Sequence, residues 1–152
     1  MNLFDRVSED LKAAMLAKEK DRLEPLRAIK TAFIHAKSEK GSSGQLTAEA
    51  ELKIIQKLIK QRKESASIYK SQERDDLYQN EMAEAKVIEQ YLPEQISDDD
   101  LEKELQEIIK RVNASSIKDM GKVMGTASKE LAGKADNRLI AEIVKKILGS
   151  IS

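Results

Sequence analysis

Apolar residues recur at three- and four-residue intervals along most of the chain, and no segment alternates convincingly between apolar and polar residues. That periodicity commits the fold to amphipathic helices, because a half-buried strand needs period two. It is clearest in the closing segment, where Leu139, Ile140, Ile143, Val144, Ile147 and Leu148 make a broad apolar face before Gly149. Aromatic residues are only 3% of the 152 and tryptophan is absent, so the core must be aliphatic, as in helical bundles rather than β-sandwiches.

Upstream, Leu3, Val7, Leu11, Ala14 and Met15 mark a first helix. Asp21 can cap a second from about Arg22 to Glu39, which buries Leu23, Leu26, Ile29 and Phe33. Pro25 is expected in that helix's first turn, where its missing N–H costs little, and Gly41 stands where a C-terminal glycine belongs. After the loop-like "GSSGQLT", Thr47 caps a long helix carrying Leu52, Ile55, Leu58, Ile59, Ala66 and Tyr69. A fourth helix, about Asp75 to Tyr91, carries Leu77, Met82, Ala85 and Ile88 and completes a long helical hairpin. "YLPEQIS" then ends it at Pro93.

Pro93 is the best domain boundary, dividing an N-terminal four-helix domain, 1–93, from a three-helix C-terminal domain, 97–152. Ser97 and Asp100 form an S-x-x-D capping pair, which Ser116 and Asp119 repeat. Asp98, Asp99 and Asp100 suit a helix N-terminus, whose dipole favours acids, better than a metal site, because consecutive helical residues face different ways. Asp136 caps the last helix. The expected fold is all-α, four helices followed by three shorter ones.

Several functions are disfavoured by what the chain lacks. With no cysteine, disulfides, thiolate metal sites and cysteine nucleophiles are excluded, and the composition suits a reducing compartment. No apolar signal region follows Met1 and no run of about 18 apolar residues occurs, so a soluble cytoplasmic protein is expected, without a membrane partner. His35 is the only histidine and lies on an ordinary helix, and no carboxylate is isolated in an apolar run where burial would tune it as a general acid. No catalytic residue, metal or cofactor is therefore expected. In "KLIKQRKES", Lys57, Lys60 and Lys63 either extend a nucleic-acid surface or form an exposed face balanced by acids from "RDDL" or "EMAEAK". Arg62 is expected to pair with Asp75 or Asp76 across the hairpin.

Total charge is silent, with 27 basic and 27 acidic residues, but its distribution is not. Residues 97–107 carry six acids against Lys103, a net −5, whereas 108–152 carry nine bases against four acids, a net +5. The positive part surrounds "DMGKVMGTASKELAGKAD", residues 119–136, which places three glycines in a helix and the turn beyond it. At about 100° per residue, Ile117, Met120, Met124, Ser128 and Leu131, joined by Val123 and Ala127, form the face expected to be buried. Lys118, Lys122 and Lys129 fall within roughly 40° of one another on another face, and Gly121 and Gly125 lie between the two. Each glycine costs about 0.5–1 kcal/mol against alanine in a helix interior. Two contacts can compensate: a neighbouring helix of the same domain crossing closely, or a phosphate backbone lying on the bare edge while lysines neutralise it. The helix should end near Leu131, with Gly133 as its terminator.

"DMGKVMG", "GKAD" and the closing aliphatic helix, with "KQRKESASIYK", "RDDL" and "YLPEQIS" upstream, resemble the YqeY proteins over nearly the whole chain. The C-terminal part of that family is similar to the tail domain of GatB, a subunit of glutamine-dependent aminoacyl-tRNA amidotransferase. The resemblance implies a two-domain helical protein linked to carbon–nitrogen ligation with glutamine as amido-N donor. It also implies a tail that contacts the tRNA elbow through its backbone, by way of Lys118, Gly121, Lys122, Gly125, Lys129, Gly133, Lys134 and Arg138. The GatB tail usually has proline where this chain has Asn137. The 152 residues leave no room for the catalytic GatB body, and no G-x-x-x-x-G-K-[ST] loop is present.

These features lead to a non-catalytic accessory protein that binds tRNA or proteins of aminoacyl-tRNA metabolism. With so few aromatics it would recognise RNA electrostatically and by shape rather than by base stacking. The alternative is a protein-interaction adaptor whose glycine groove holds a partner helix. A DNA-binding helix-turn-helix fits less well, because the closing helix has too broad an apolar face and few base-reading side chains.

Overall fold

The computed structural model describes residues 2–39 and 44–151. Among them are seven α-helices, α1 (Leu3–Leu16), α2 (Lys20–Glu39), α3 (Ala48–Ser71), α4 (Asp75–Glu89), α5 (Asp98–Arg111), α6 (Met120–Glu130) and α7 (Asn137–Ile151), with a 3-10 turn at Ile117–Asp119 and no strand. The all-α expectation holds. The expected terminator Gly41 lies outside the described residues. The chain clusters into two compact units, Met1–Leu92 and Pro93–Ser152.

In the first unit, Val7, Leu26, Ile29, Phe33, Ile55 and Ile88 are fully buried in one aliphatic core that Tyr91 closes. Each such side chain contributes about 1.5–3 kcal/mol by leaving water. Met15 is not part of this core and is 53% exposed. Repeated i+4 steps drift about 40° each around a helix, so Met15 has left the stripe that Val7, Leu11 and Ala14 occupy. Pro25 lies a turn deeper than expected, because α2 begins at Lys20, and it is buried. The hairpin between α3 and α4 turns through Glu73, whose φ of 58° is left-handed.

Two side chains in this unit depart from expectation. Arg62 does not pair with Asp75 or Asp76: Asp76 is engaged by Arg74 at 3.5 Å, while Arg62 Nη1 donates to the Leu58 carbonyl at 3.4 Å. Arg62 precedes the hairpin turn by ten residues, about 15 Å of helix, so it lies alongside the middle of α4 rather than its start. Its charge acts on Glu84, whose carboxyl is pushed above its ordinary range by burial, with Arg62 opposing the shift. Glu51 is a buried carboxylate that the sequence did not single out. Its Oε2 accepts from the Phe4 N–H at 3.0 Å, so α3 caps the start of α1.

Candidate nucleic-acid interface

The second unit is built on α5, α6 and α7, which enclose Leu101, Leu105, Ile108, Val123, Ala127, Ile140, Val144 and Leu148. Two local devices set where α5 and α6 start. The Ser97 hydroxyl accepts from the Asp100 N–H at 3.2 Å and begins α5. Ser116 and Asp119 then form a reciprocal capping box, but on the 3-10 turn, which delays α6 to Met120. The Ser115 and Ser116 N–H groups donate to Asp119 Oδ2 at 2.8 and 3.3 Å. These bonds, helped by the nearby Lys122 charge, hold the Asp119 carboxyl below its ordinary value.

The delayed start changes the helical wheel. A 3-10 turn winds about 120° per residue instead of 100°, so Ile117 does not reach the buried face and is 44% exposed. Lys118 likewise sits on the turn and not on α6. From Met120 onward the expected wheel is observed: Val123, Ala127 and Leu131 are buried, Met120 and Met124 partly so, and Gly121, Lys122, Gly125 and Lys129 are exposed.

Close crossing of a neighbouring helix does not account for the glycines. A Cβ added at Gly121 or Gly125 would meet nothing within 4 Å beyond its own helix backbone and chain neighbours. Both positions face open space on the same exposed side as Lys122 and Lys129. Nor are the cations consumed internally: among the described residues, Lys118, Lys122, Lys129, Lys134 and Arg138 are exposed and hold no ion pair. The nearby Arg111 differs, its Nη1 and Nη2 each donating to a Glu130 oxygen at 3.0 Å in a bidentate pair.

The remaining expected residues form a second group. Gly133 is buried with φ 75°, and its carbonyl accepts from Gln95 Nε2 at 2.7 Å. It is a turn residue and not part of the surface, because a buried glycine offers no edge to a ligand. Lys134 follows on the turn. Asp136 Oδ1 accepts from the Arg138 N–H at 2.9 Å, capping α7 and leaving the Arg138 side chain exposed. Helix α7 then continues through Gly149 to Ile151.

The lysines of the long third helix divide: Lys57 and Lys60 are exposed and, among the described residues, hold no ion pair, whereas two others are neutralised. Lys63 pairs with Glu89 at 2.9 Å and Lys53 with Glu49 at 3.4 Å. His35 is exposed and lies 3.2 Å from Glu39. Among the described residues no three His, Cys, Asp or Glu side chains gather as metal ligands would, and no helix is long and apolar enough to cross a membrane.

The family model described as "Yqey-like protein" matches residues 4–148. Three fungal relatives carry the name "Altered inheritance of mitochondria protein 41, mitochondrial". That of Pyrenophora tritici-repentis is 26% identical over 97% of this chain and 82% of its own length. That of Meyerozyma guilliermondii is 37% identical over 59% of this chain and 46% of its own length. That of Clavispora lusitaniae is 28% identical over 74% of this chain and 66% of its own length. Their names assign those proteins to mitochondria, whereas composition here led to the expectation of a cytoplasmic protein.

Proposed function

Because the chain belongs to the YqeY-like protein family, we propose that it is a non-catalytic accessory protein of tRNA metabolism whose C-terminal unit holds RNA by its backbone. The observation that carries this reading is the open edge at Gly121 and Gly125 beside Lys122 and Lys129, with no packing partner for the glycines and no ion pair for the lysines among the described residues. Exposed, unpaired cations next to accessible backbone suit phosphate oxygens, which need charge and close approach rather than sequence-specific side chains. The unit from Pro93 to Ser152 contains no Phe, Tyr, Trp or His. Stacking on unpaired bases is therefore not its mode, and structured RNA read by shape is the better ligand. By the same reading the protein works beside a glutamine-dependent tRNA amidotransferase, in the cytoplasm, and supplies no chemistry of its own.

Titration of the purified protein with bulk tRNA across a salt series tests this. With five cations engaged, log K should fall against log salt with a slope of roughly −3.5 to −4.5. Absence of salt-sensitive binding at low ionic strength would sink the proposal. Exposed Ile117, at 44%, favours one competing reading, in which a partner helix covers the glycine edge and the lysines form its rim. A partner protein recovered after nuclease treatment, with Lys122→Glu harmless and Gly125→Leu disruptive, would support that alternative. Loss of tRNA binding in Lys122→Glu supports RNA.

A further inference from the structure

The segment after Leu92 does more than connect. Gln95 Nε2 donates to two carbonyls, that of Pro93 at 2.9 Å and that of Gly133 at 2.7 Å. The next residue continues the attachment: the Ile96 N–H donates to the Lys134 carbonyl at 3.0 Å. Two hydrogen bonds thus tie residues 95 and 96 to the turn between α6 and α7, and the bond to the Pro93 carbonyl fixes the Gln95 amide within its own segment. That turn needs holding. Gly133 is left-handed with φ 75°, and the turn's internal link is the Lys134 N–H donating to the Leu131 carbonyl at 2.9 Å. Lys134 lies on it, and Asp136 begins α7 three residues after Gly133, with Arg138 on that helix's first turn.

We infer that Gln95 is a positioning residue: it fixes the Gly133–Lys134 turn and so sets how Lys134 and Arg138 are presented to the RNA backbone. The RNA half of this inference rests on the function proposed above. The side-chain chemistry is specific. Both neighbours of the amide nitrogen are carbonyl oxygens, so only a group with two donors fits between them. Glutamate has the same length but would put a carboxylate oxygen against two carbonyls. Methionine also keeps the length but removes both donors.

The test uses the full-length protein with Gln95→Met and Gln95→Glu, and reads amide hydrogen exchange together with tRNA binding. Both variants should fold, because Gln95 is exposed and outside the aliphatic core. Exchange at Ile96 and Lys134 should quicken about tenfold, while Leu105, Ile108 and Val123 exchange as in the wild type. Affinity for tRNA in Gln95→Met should drop about twofold to tenfold, with a salt slope shallower by roughly one. A loss of general stability alone would leave that slope unchanged. In a Lys134→Gln/Arg138→Gln background, Gln95→Met should have no further effect on binding.

Unchanged exchange at Ile96 and Lys134 would overturn the inference whatever happens to RNA. Quickened exchange with wild-type affinity, or an effect fully additive with the Lys134/Arg138 pair, would overturn it as well. If the wild type itself binds no tRNA, the proposed function fails, and the exchange result alone then supports or refutes Gln95 as the residue that fixes the turn.

Discussion

Replacing Gly125 with alanine separates what the fold needs from what a ligand needs. Gly125 is the sixth residue of an eleven-residue helix, and a methyl group there meets nothing within 4 Å. No steric penalty offsets the gain in helix propensity, so Gly125→Ala should stabilise the C-terminal unit by about 0.5–1 kcal/mol. For a unit of this size each kcal/mol raises the melting temperature by about 4–8 °C, an expected shift of about 2–8 °C. The protein has two units, so a single melting curve mixes them. Exchange of the Val123 and Ala127 amides, which belong to the C-terminal core, is the cleaner assay. The same methyl should weaken tRNA binding, because it stands on the edge where a phosphate backbone would approach. Destabilisation by Gly125→Ala would refute the open-edge geometry. A stabilised variant that binds tRNA as well as the wild type would refute the functional use of that edge.

Gly133→Ala should behave in the opposite sense and cost about 1–2 kcal/mol, because its φ of 75° is unfavourable for any residue with a Cβ; denaturant melts followed at α7 amides measure it. Glu51→Ala leaves the half-buried Phe4 N–H without its acceptor and should cost about 1–3 kcal/mol, seen as earlier denaturant unfolding of the N-terminal unit. Asp119 is depressed in the folded state from an ordinary value of 3.8, so its stabilising effect is present above that pH and disappears as pH falls through the lower folded value. Asp119→Asn should therefore be less stable than wild type near neutrality and converge with it in acid; a constant gap at every pH would contradict this.

What was legible in the sequence was local. Thr47, Ser97 and the Ser116/Asp119 box can be recognised because each cap bonds to backbone within three residues. The helical stripes are legible for the same reason, since period alone fixes which residues share a face. What escaped depends on register between distant segments. Glu51 meets Phe4 across 47 positions and Gln95 meets Gly133 across 38, and neither residue type announces such a partner. The expected pairing of Arg62 with Asp75 or Asp76 fails because ten residues separate Arg62 from the hairpin turn, so it faces a later stretch of α4. In the candidate site, the glycine and lysine positions on α6 were readable from the wheel. The displacement of Ile117 and Lys118 was not, because a capping box does not say whether the turn it opens is α or 3-10.

The lysine row is not uniform, and the difference offers a further check on the backbone-reading proposal. Lys122 lies close enough to Asp119 to lower that carboxyl's pKa, so part of its field is already spent on a fixed anion. Lys129 has an acid beside it in sequence, Glu130, but both oxygens of that carboxylate are occupied by Arg111 in a bidentate pair. Arg111 therefore neutralises the adjacent carboxylate and leaves the Lys129 charge more fully available to solvent or ligand. If phosphates are held by net local potential, Lys129→Gln should weaken tRNA binding more than Lys122→Gln. Breaking the Arg111–Glu130 pair with Arg111→Gln should weaken binding as well, by freeing Glu130 beside Lys129. Equal losses at both lysines, or a harmless Arg111→Gln, would mean that the row acts through individual contacts and not through the field it shares.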